Sequence, residues 1–241
     1  MKKSILKNTL FILCLNLCLT KNILSQTPIN VIESKEFNQI IINDTTFQKF
    51  SGNVTIEYSD FKIVCDTILI DEYKLLIRGW GNTHVFNDTL NCKSDSINIK
   101  QNTSEIIFYE NSCLQTDKMM IFSDQINYNY DEEKVQYRNT GKVITEDYEI
   151  NSQKFKYNFK NKRSYFYQNI NLTASEYNIL GENIEIQNDL VQFSGHTLIK
   201  DVDFTIRCKE GYLQEGKLLE LSNGVLVDFE NQIIEAKELN R

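Results

Sequence analysis

This sequence predicts an elongated all-β fold, built from about seven three-strand repeats of ~29 residues. Three observations carry that expectation. First, one phrase recurs, a small residue and a polar one followed by alternating apolar residues. It appears as Cys65-Asp66…Ile68…Ile70, Ser94-Asp95…Ile97…Ile99, Ser123-Asp124…Ile126…Tyr128, Ser152-Gln153…Phe155…Tyr157 and Gly181-Glu182…Ile184…Ile186. Its polar position falls at 66, 95, 124, 153 and 182, an interval of 29 each time, with looser copies at Glu210-Gly211-Tyr212 and Ala236-Lys237…Leu239. Second, the apolar residues between these anchors alternate with period two, the mark of strands buried on one face. Third, nothing beyond the N-terminal leader has helical periodicity, and the single proline, Pro28, precedes the repeats, leaving their ladders unbroken.

Taken in order, residues 1–25 read as a signal peptide. Lys2, Lys3 and Lys7 form its basic region, Thr9 to Leu19 its apolar region, and Ser25 the cleavage point. The apolar run falls short of the ~20 residues a membrane span needs. A lipoprotein is disfavoured, because Leu13 and Leu17 stand before Cys14 and Cys18 where a small residue is wanted. Export implies a periplasmic product, possible attachment at the outer membrane aside, with no membrane span. Residues 26–49 are a lead-in, and 50–241 form one continuous repeat domain without a linker or composition break. Losing the leader's four lysines takes the net charge from −7 to −11. So acidic a surface argues against nucleic acid and against a polybasic grip on anionic lipid.

Within a repeat, Gly52-Asn53-Val54-Thr55-Ile56-Glu57-Tyr58 opens as a half-buried strand, and Ser59-Asp60 breaks it. Phe61 to Asp71 follows with a phase change inside it: Phe61, Ile63 and Cys65 are odd, Ile68 and Ile70 even. Because side chains alternate with period two, a phase change that recurs in every copy means a recurring bulge or corner, and the small residue is what such a corner needs. A third strand follows each polar turn: Leu75 to Arg78, Glu105 to Tyr109, Lys134 to Tyr137, Arg163 to Tyr167 and Leu190 to Phe193.

Those residues resemble the OstA-like/LptA-like family of lipopolysaccharide-transport proteins, which includes the N-terminal domain of LptD. The resemblance rests on Gly52-Asn53-Val54-Thr55-Ile56, on Phe61 to Ile68, and on Gly79-Trp80-Gly81-Asn82, echoed at Gly141-Lys142-Val143-Ile144 and Gly195-His196-Thr197-Leu198-Ile199. It runs from about Phe50 to Leu239, with an Asn-, Ile-, Tyr- and Phe-rich composition of the Bacteroidetes type. It implies a jelly roll of folded antiparallel sheets, open at both ends, whose apolar trough holds the acyl chains of lipid A. Its partners would be lipopolysaccharide and either Lpt-type bridge proteins or further copies of the chain, joined end to end by strand addition. Trough-lining candidates are Val54, Ile56, Ile68, Ile70, Ile97, Ile99, Ile126, Phe155 and Ile184. The rival expectations are an envelope scaffold that binds no lipid and, further off, a carbohydrate-active β-solenoid enzyme.

Catalytic candidates are thin, and no catalysis, metal or cofactor is expected. His84 and His196 are the only histidines and sit in strands beside threonines, where polar-face roles suffice. Asp66, Asp95 and Asp124 share one structural position, which suggests a carboxylate row for calcium or glycoside chemistry. Gln153 and Lys237 in the same slot favour instead a corner residue that accepts hydrogen bonds from nearby backbone N–H groups. Cys65, Cys92, Cys113 and Cys208 could pair, but Cys65 replaces Ser or Gly in other copies and reads as a small filler. The aromatics from Tyr128 to Tyr167 are either ordinary cross-strand pairs or a lipid-contacting wall, and Trp80 is a rim residue.

Overall fold

The computed structural model describes residues 28–240 apart from 72, 215–216 and 230–231. The leader expected over residues 1–25, with Cys14 and Cys18, lies outside them. Among the described residues eighteen strands follow one another, with one 3-10 turn at Gln101–Thr103. They are β1 (Ile29–Glu33), β2 (Glu36–Ile42), β3 (Thr45–Tyr58), β4 (Phe61–Asp71), β5 (Leu76–Phe86), β6 (Asn91–Lys100), β7 (Glu105–Gln115), β8 (Met120–Asn129), β9 (Lys134–Tyr137), β10 (Gly141–Ile144), β11 (Tyr148–Ser152), β12 (Lys154–Asn158), β13 (Arg163–Ala174), β14 (Asn178–Gln187), β15 (Leu190–Lys200), β16 (Phe204–Gln214), β17 (Lys217–Phe229) and β18 (Gln232–Asn240).

All pairings are antiparallel, and apart from β1/β2, β9/β10 and β11/β12 each strand pairs with the next in the chain, so the fold is one long meander. Three rungs are split in two: β1 and β2 both lie on β3, β9 and β10 both on β8, and β11 and β12 both on β13. The eighteen strands thus make fifteen rungs, stacked over roughly 70 Å at ~4.8 Å per rung. Much of the lead-in belongs to this stack, since residues 29–42 form its first rung.

Each full strand bends once. The ladder between β4 and β5 skips from Val64↔His84 to Thr67↔Trp80, and the same skip recurs in every ladder from β3 to β8 and from β13 to β18. On one strand of most pairs the corner holds two consecutive left-handed residues, Gly52-Asn53, Gly81-Asn82, Glu110-Asn111, Gln168-Asn169 and Asn223-Gly224, and on β15 it holds Gly195 alone. Glycine and asparagine tolerate that conformation best. On the other strand it holds the recurring small residue. Cys65 Sγ donates to Thr67 O (3.3 Å), Ser94 Oγ to Ser96 O (3.0 Å) and Ser152 Oγ to Lys154 O (3.1 Å). A short donor therefore satisfies a carbonyl that the bulge removes from the ladder.

The bend corrects the strand count of the repeat. Phe61–Asp71 is a single bent strand, and the expected third strand (Leu75 to Arg78) continues through Gly81-Asn82 into the next opening strand as β5. Each 29-residue period is therefore two long bent strands, four half-strands, rather than three short ones.

Bending every strand at one line folds the meander into two layers. The first carries the halves typified by Val54–Tyr58 and Phe61–Cys65, the second those typified by Thr67–Asp71 and Ser96–Lys100. One continuous apolar cluster from Phe50 to Val225 fills the space between them. Across it, Tyr58 and Tyr130 hydroxyls meet at 2.7 Å, Phe61 packs edge-on against Tyr128, and Tyr128 against Phe159. Within the second layer Tyr137, Phe155 and Phe166 are cross-strand neighbours, with ring centroids 5.3 and 4.9 Å apart. The rim away from the corner is closed by Tyr58 and Phe61 of the first layer against Tyr128 and Tyr130 of the second.

Candidate functional site

The interior is the candidate site, because it is where the nine trough candidates converge. Val54 and Ile56 belong to the first layer. Ile68, Ile70, Ile97, Ile99, Ile126, Phe155 and Ile184 line the opposing second layer. All nine are buried, none more than 4 % exposed, and all belong to the single interior cluster. The two layers pack against each other at these positions. An apolar guest would have to part them, exchanging one set of apolar contacts for another.

The ends of the interior differ from its middle. Residues opposite one another in an antiparallel ladder share a face, so inward-facing Tyr58, Ile56 and Phe50 place Ile29, Val31 and Phe37 inward on the first rung. Phe37 is 56 % exposed there, and Ile41, on the same face, is 75 % exposed. At the other end Leu221, Val225 and Val227 place Leu239, Ala236 and Ile234 inward on β18. Ile234 is 52 % exposed, whereas its counterpart Ile206, two rungs inside, is 3 % exposed. Among the described residues, no further strand pairs with β1, β2 or β18 on their outer sides. Apolar interior and unpaired backbone are therefore presented together at both ends. Sequence reasoning missed Phe37, Ile41, Ile234 and Leu239 as a group, although the alternation Phe37-Gln39-Ile41 and Ile234-Ala236 was there to be read.

The remaining candidates resolve into architecture. Asp66 accepts from Asn82 Nδ2 at 3.2 Å, Asp95 from Asn111 Nδ2 at 2.7 Å, and Glu210 from Asn223 Nδ2 at 2.9 Å. The corner acids thus tie down the side chain of the left-handed Asn, where backbone donors had been expected. Asp66 and Asp95 lie two rungs apart, roughly 10 Å, too far to share an ion. Among the described residues no three of His, Cys, Asp and Glu converge as a metal site would require. His84 bonds Asn91 Oδ1 at 2.8 Å and packs on Phe86, and His196 bonds Glu182 Oε1 at 3.2 Å; both side chains lie on the surface.

The four described cysteines are free thiols. Burial pushes the Cys65 thiol up to about 12 and that of Cys208 up to about 11, and it raises those of Cys92 and Cys113 as well. Protonated and mostly buried, they fill space rather than react. The aromatics divide between the two faces. Tyr128, Tyr137, Phe155, Tyr157 and Phe166 are buried and Phe159 packs on their cluster, while Tyr165 and Tyr167 stand on the outer surface of β13, away from the interior.

A sequence profile of the OstA-like protein family matches residues 26–182. Comparison with curated proteins found no match. Among 19 solved chains that match is LptH of Pseudomonas aeruginosa, described as the LptA-homologous periplasmic component of the lipopolysaccharide transport device. Its likeness to this chain covers 45 % of this chain and 80 % of LptH, at 11 % identity and a TM-score of 0.40. Among the described residues no helix is long and apolar enough to cross a membrane.

Proposed function

The chain belongs to the OstA-like family, and from that premise we propose that it is a periplasmic carrier or bridge segment for an amphiphilic envelope lipid, lipopolysaccharide foremost. It shelters acyl chains between its two layers and performs no catalysis. The observation that carries this reading is the continuous apolar interior that no described residue caps at either end, with Phe37 and Ile41 exposed on the first rung and Ile234 on the last. A stacked array that ended in water would carry polar caps, whereas one that meets a similar neighbour keeps its apolar ends.

The energetics support a trough rather than a pocket. Each methylene buried contributes ~0.8 kcal/mol, so an acyl chain of a dozen carbons gains about 10 kcal/mol only if it is sheltered along most of its length. Phosphates and sugars stay outside, which suits the acidic surface. Val54, Ile56, Ile68, Ile70, Ile97, Ile99, Ile126, Phe155 and Ile184 are the residues proposed to meet the acyl chains once the layers part. The partners are lipopolysaccharide and, at each end, another copy or a related jelly roll, added strand to strand.

A photo-crosslinking amino acid at Ile97 or Phe155, in protein incubated with lipopolysaccharide, tests this directly. Crosslinks at those positions and none at exposed Lys62 are expected, together with lipid in the mass spectrum of protein purified from cell envelopes. If neither crosslink nor lipid is found, the carrier reading fails. The second reading, an envelope scaffold that binds no lipid, would then stand, and the close packing of those nine residues is the observation that favours it.

A further inference from the structure

We propose that the outer edge of β18 is a two-fold joint for a second copy of this chain, the two β18 strands lying antiparallel with their corners in line. This takes the open ends as contact surfaces, as above, and gives one of them its partner and orientation. Strand direction carries the argument. β1 and β2 run from the first layer to the second, since Ile29–Val31 lie opposite Tyr58–Ile56 and Glu36–Ile42 opposite Ser51–Thr45. β18 runs the same way, with Ile233–Ala236 on the first-layer half of β17 and Glu238–Asn240 on its second-layer half. A copy stacked head to tail, its corner and layers continuing those of its neighbour, would therefore set β18 parallel to β1 and β2. Every pairing among the described strands is antiparallel, and parallel pairing is slightly less stable per residue. The first rung is also broken at its corner, where Ser34 and Lys35 separate β1 from β2 and Lys35 lies over Gly52. A two-fold axis through the corner of β18, running between the layers towards the rim, avoids both obstacles. It keeps corner on corner, makes the edges antiparallel and continues the first layer of each copy as the second layer of the other.

The side chains along this edge suit that axis. Ala236 and Leu239 both face inward and pack on the interior cluster, so burying like against like sets Ala236 of one copy opposite Leu239 of the other. Lys237 then stands opposite Glu238 of the second copy, and the symmetry makes that pair twice. Both side chains are exposed, and among the described residues neither makes an ion pair. Lys237 also departs from the habit of its slot. On β4, β6, β14 and β16 the corner acid reaches forward to the next strand, Asp66 to Asn82, Asp95 to Asn111, Glu182 to His196 and Glu210 to Asn223. On β18 the forward neighbour is the second copy, which presents Glu238. An acid in the slot would be repelled there, whereas a lysine meets a counter-charge. The joint carries the apolar interior across as well, with Leu239 of each copy on Ala236 of the other.

Charge reversal with sedimentation tests the symmetry. Lys237→Glu and Glu238→Lys each turn both Lys–Glu contacts into like-charge contacts, so each variant alone should self-associate about ten-fold more weakly than the parent. Mixed together, the two variants form a pair with both contacts attractive, and association should return to the parent level. Only an isologous joint, in which the same two residues meet across copies, gives that complementation. Both residues lie on an exposed edge, so parent-like melting curves confirm that the variants are folded. In a mixture of unlabelled and isotopically labelled parent protein, a carbodiimide should form the Lys237–Glu238 amide between a light and a heavy chain. The proposal is overturned if the parent sediments as a monomer throughout a concentration series, or if the mixed variants associate no better than each alone. It is overturned equally if Lys237 is coupled to Glu33 or Glu36 of the first rung, the mark of a head-to-tail stack. None of these failures touches the lipid crosslinks at Ile97 and Phe155, which judge the carrier reading separately.

Discussion

Gly81→Ala and Gly224→Ala make a useful pair of perturbations, because both glycines are left-handed corner residues, first and second of their corner pairs, and their surroundings differ sharply. Their φ values are +79° and +80°. Each substitution forces an L side chain into the left-handed region at about 1–2 kcal/mol, less ~0.5 kcal/mol regained from the stiffer unfolded chain. At Gly224 nothing lies within 4 Å of the new methyl, so that is the whole effect. At Gly81 the methyl would stand 2.8 Å from both Cβ and Cγ of Asp66 and must push that side chain away. The Asn82–Asp66 bond of 3.2 Å is then lost, for about 1 kcal/mol more. Gly81→Ala should therefore destabilise by about 2 kcal/mol and Gly224→Ala by about 1. In a chain of this size the gap corresponds to a Tm difference of roughly 3 °C. Circular dichroism melts of the two variants read it. Replacing Asp66 by Ala in the Gly81→Ala background should recover about 1 kcal/mol of coupling. Equal melting shifts for the two glycines, or no coupling to Asp66, would refute the account of the corner.

Three further outcomes follow from the same structure. With a thiol reagent, Cys113 should be modified well before buried Cys65 and Cys92, which should react only in denaturant; equal rates in the native protein would contradict the packing. Burial pushes the phenols of Tyr128, Tyr137 and Tyr148 up to about 12, above their ordinary value near 10. Their folded-state values are the raised ones, so the stability they lend is complete below about pH 10 and is lost as pH climbs through 12. A urea midpoint that falls across that window, with tyrosinate absorbance rising alongside, is the expected result, and a midpoint flat to pH 12 would count against it. Finally, Ile234→Lys on the last rung should leave the melting temperature nearly unchanged, within about 0.5 kcal/mol, while weakening end-to-end association in sedimentation runs. An unchanged sedimentation profile in a protein that self-associates would remove β18 from that contact.

Much of the fold was legible because the corner has a strict local requirement. The slot must stay small, and in three copies a short donor (Cys65, Ser94 or Ser152) also reaches the carbonyl two residues on, so a small residue recurs every 29 residues, at 65, 94, 123, 152 and 181. The phase change from Cys65 to Ile68 was legible for the same reason. The strand count was not. Gly81-Asn82 is the pair a tight hairpin uses, and only the paired strands on both sides show that it bends β5 without ending it. The faces of Tyr165 and Tyr167 were also hidden, since consecutive aromatics at 165, 166 and 167 leave the inward parity to the partner strands. The pairing of Phe166 with Ile184 settles it. The open ends were illegible in a single repeat, because an end residue looks like any other until its missing neighbour is known.

The constant period has a bearing on length. Because each 29-residue unit is one hairpin whose two strands bend at the same corner, inserting or deleting a unit changes neither end and leaves every other ladder in register. The molecule can therefore grow or shrink only in steps of two rungs, about 10 Å at a time. A protein so constructed behaves as a ruler with fixed graduations. A family that had to span gaps of different widths could do so by duplicating one stretch of gene, without redesigning any surface.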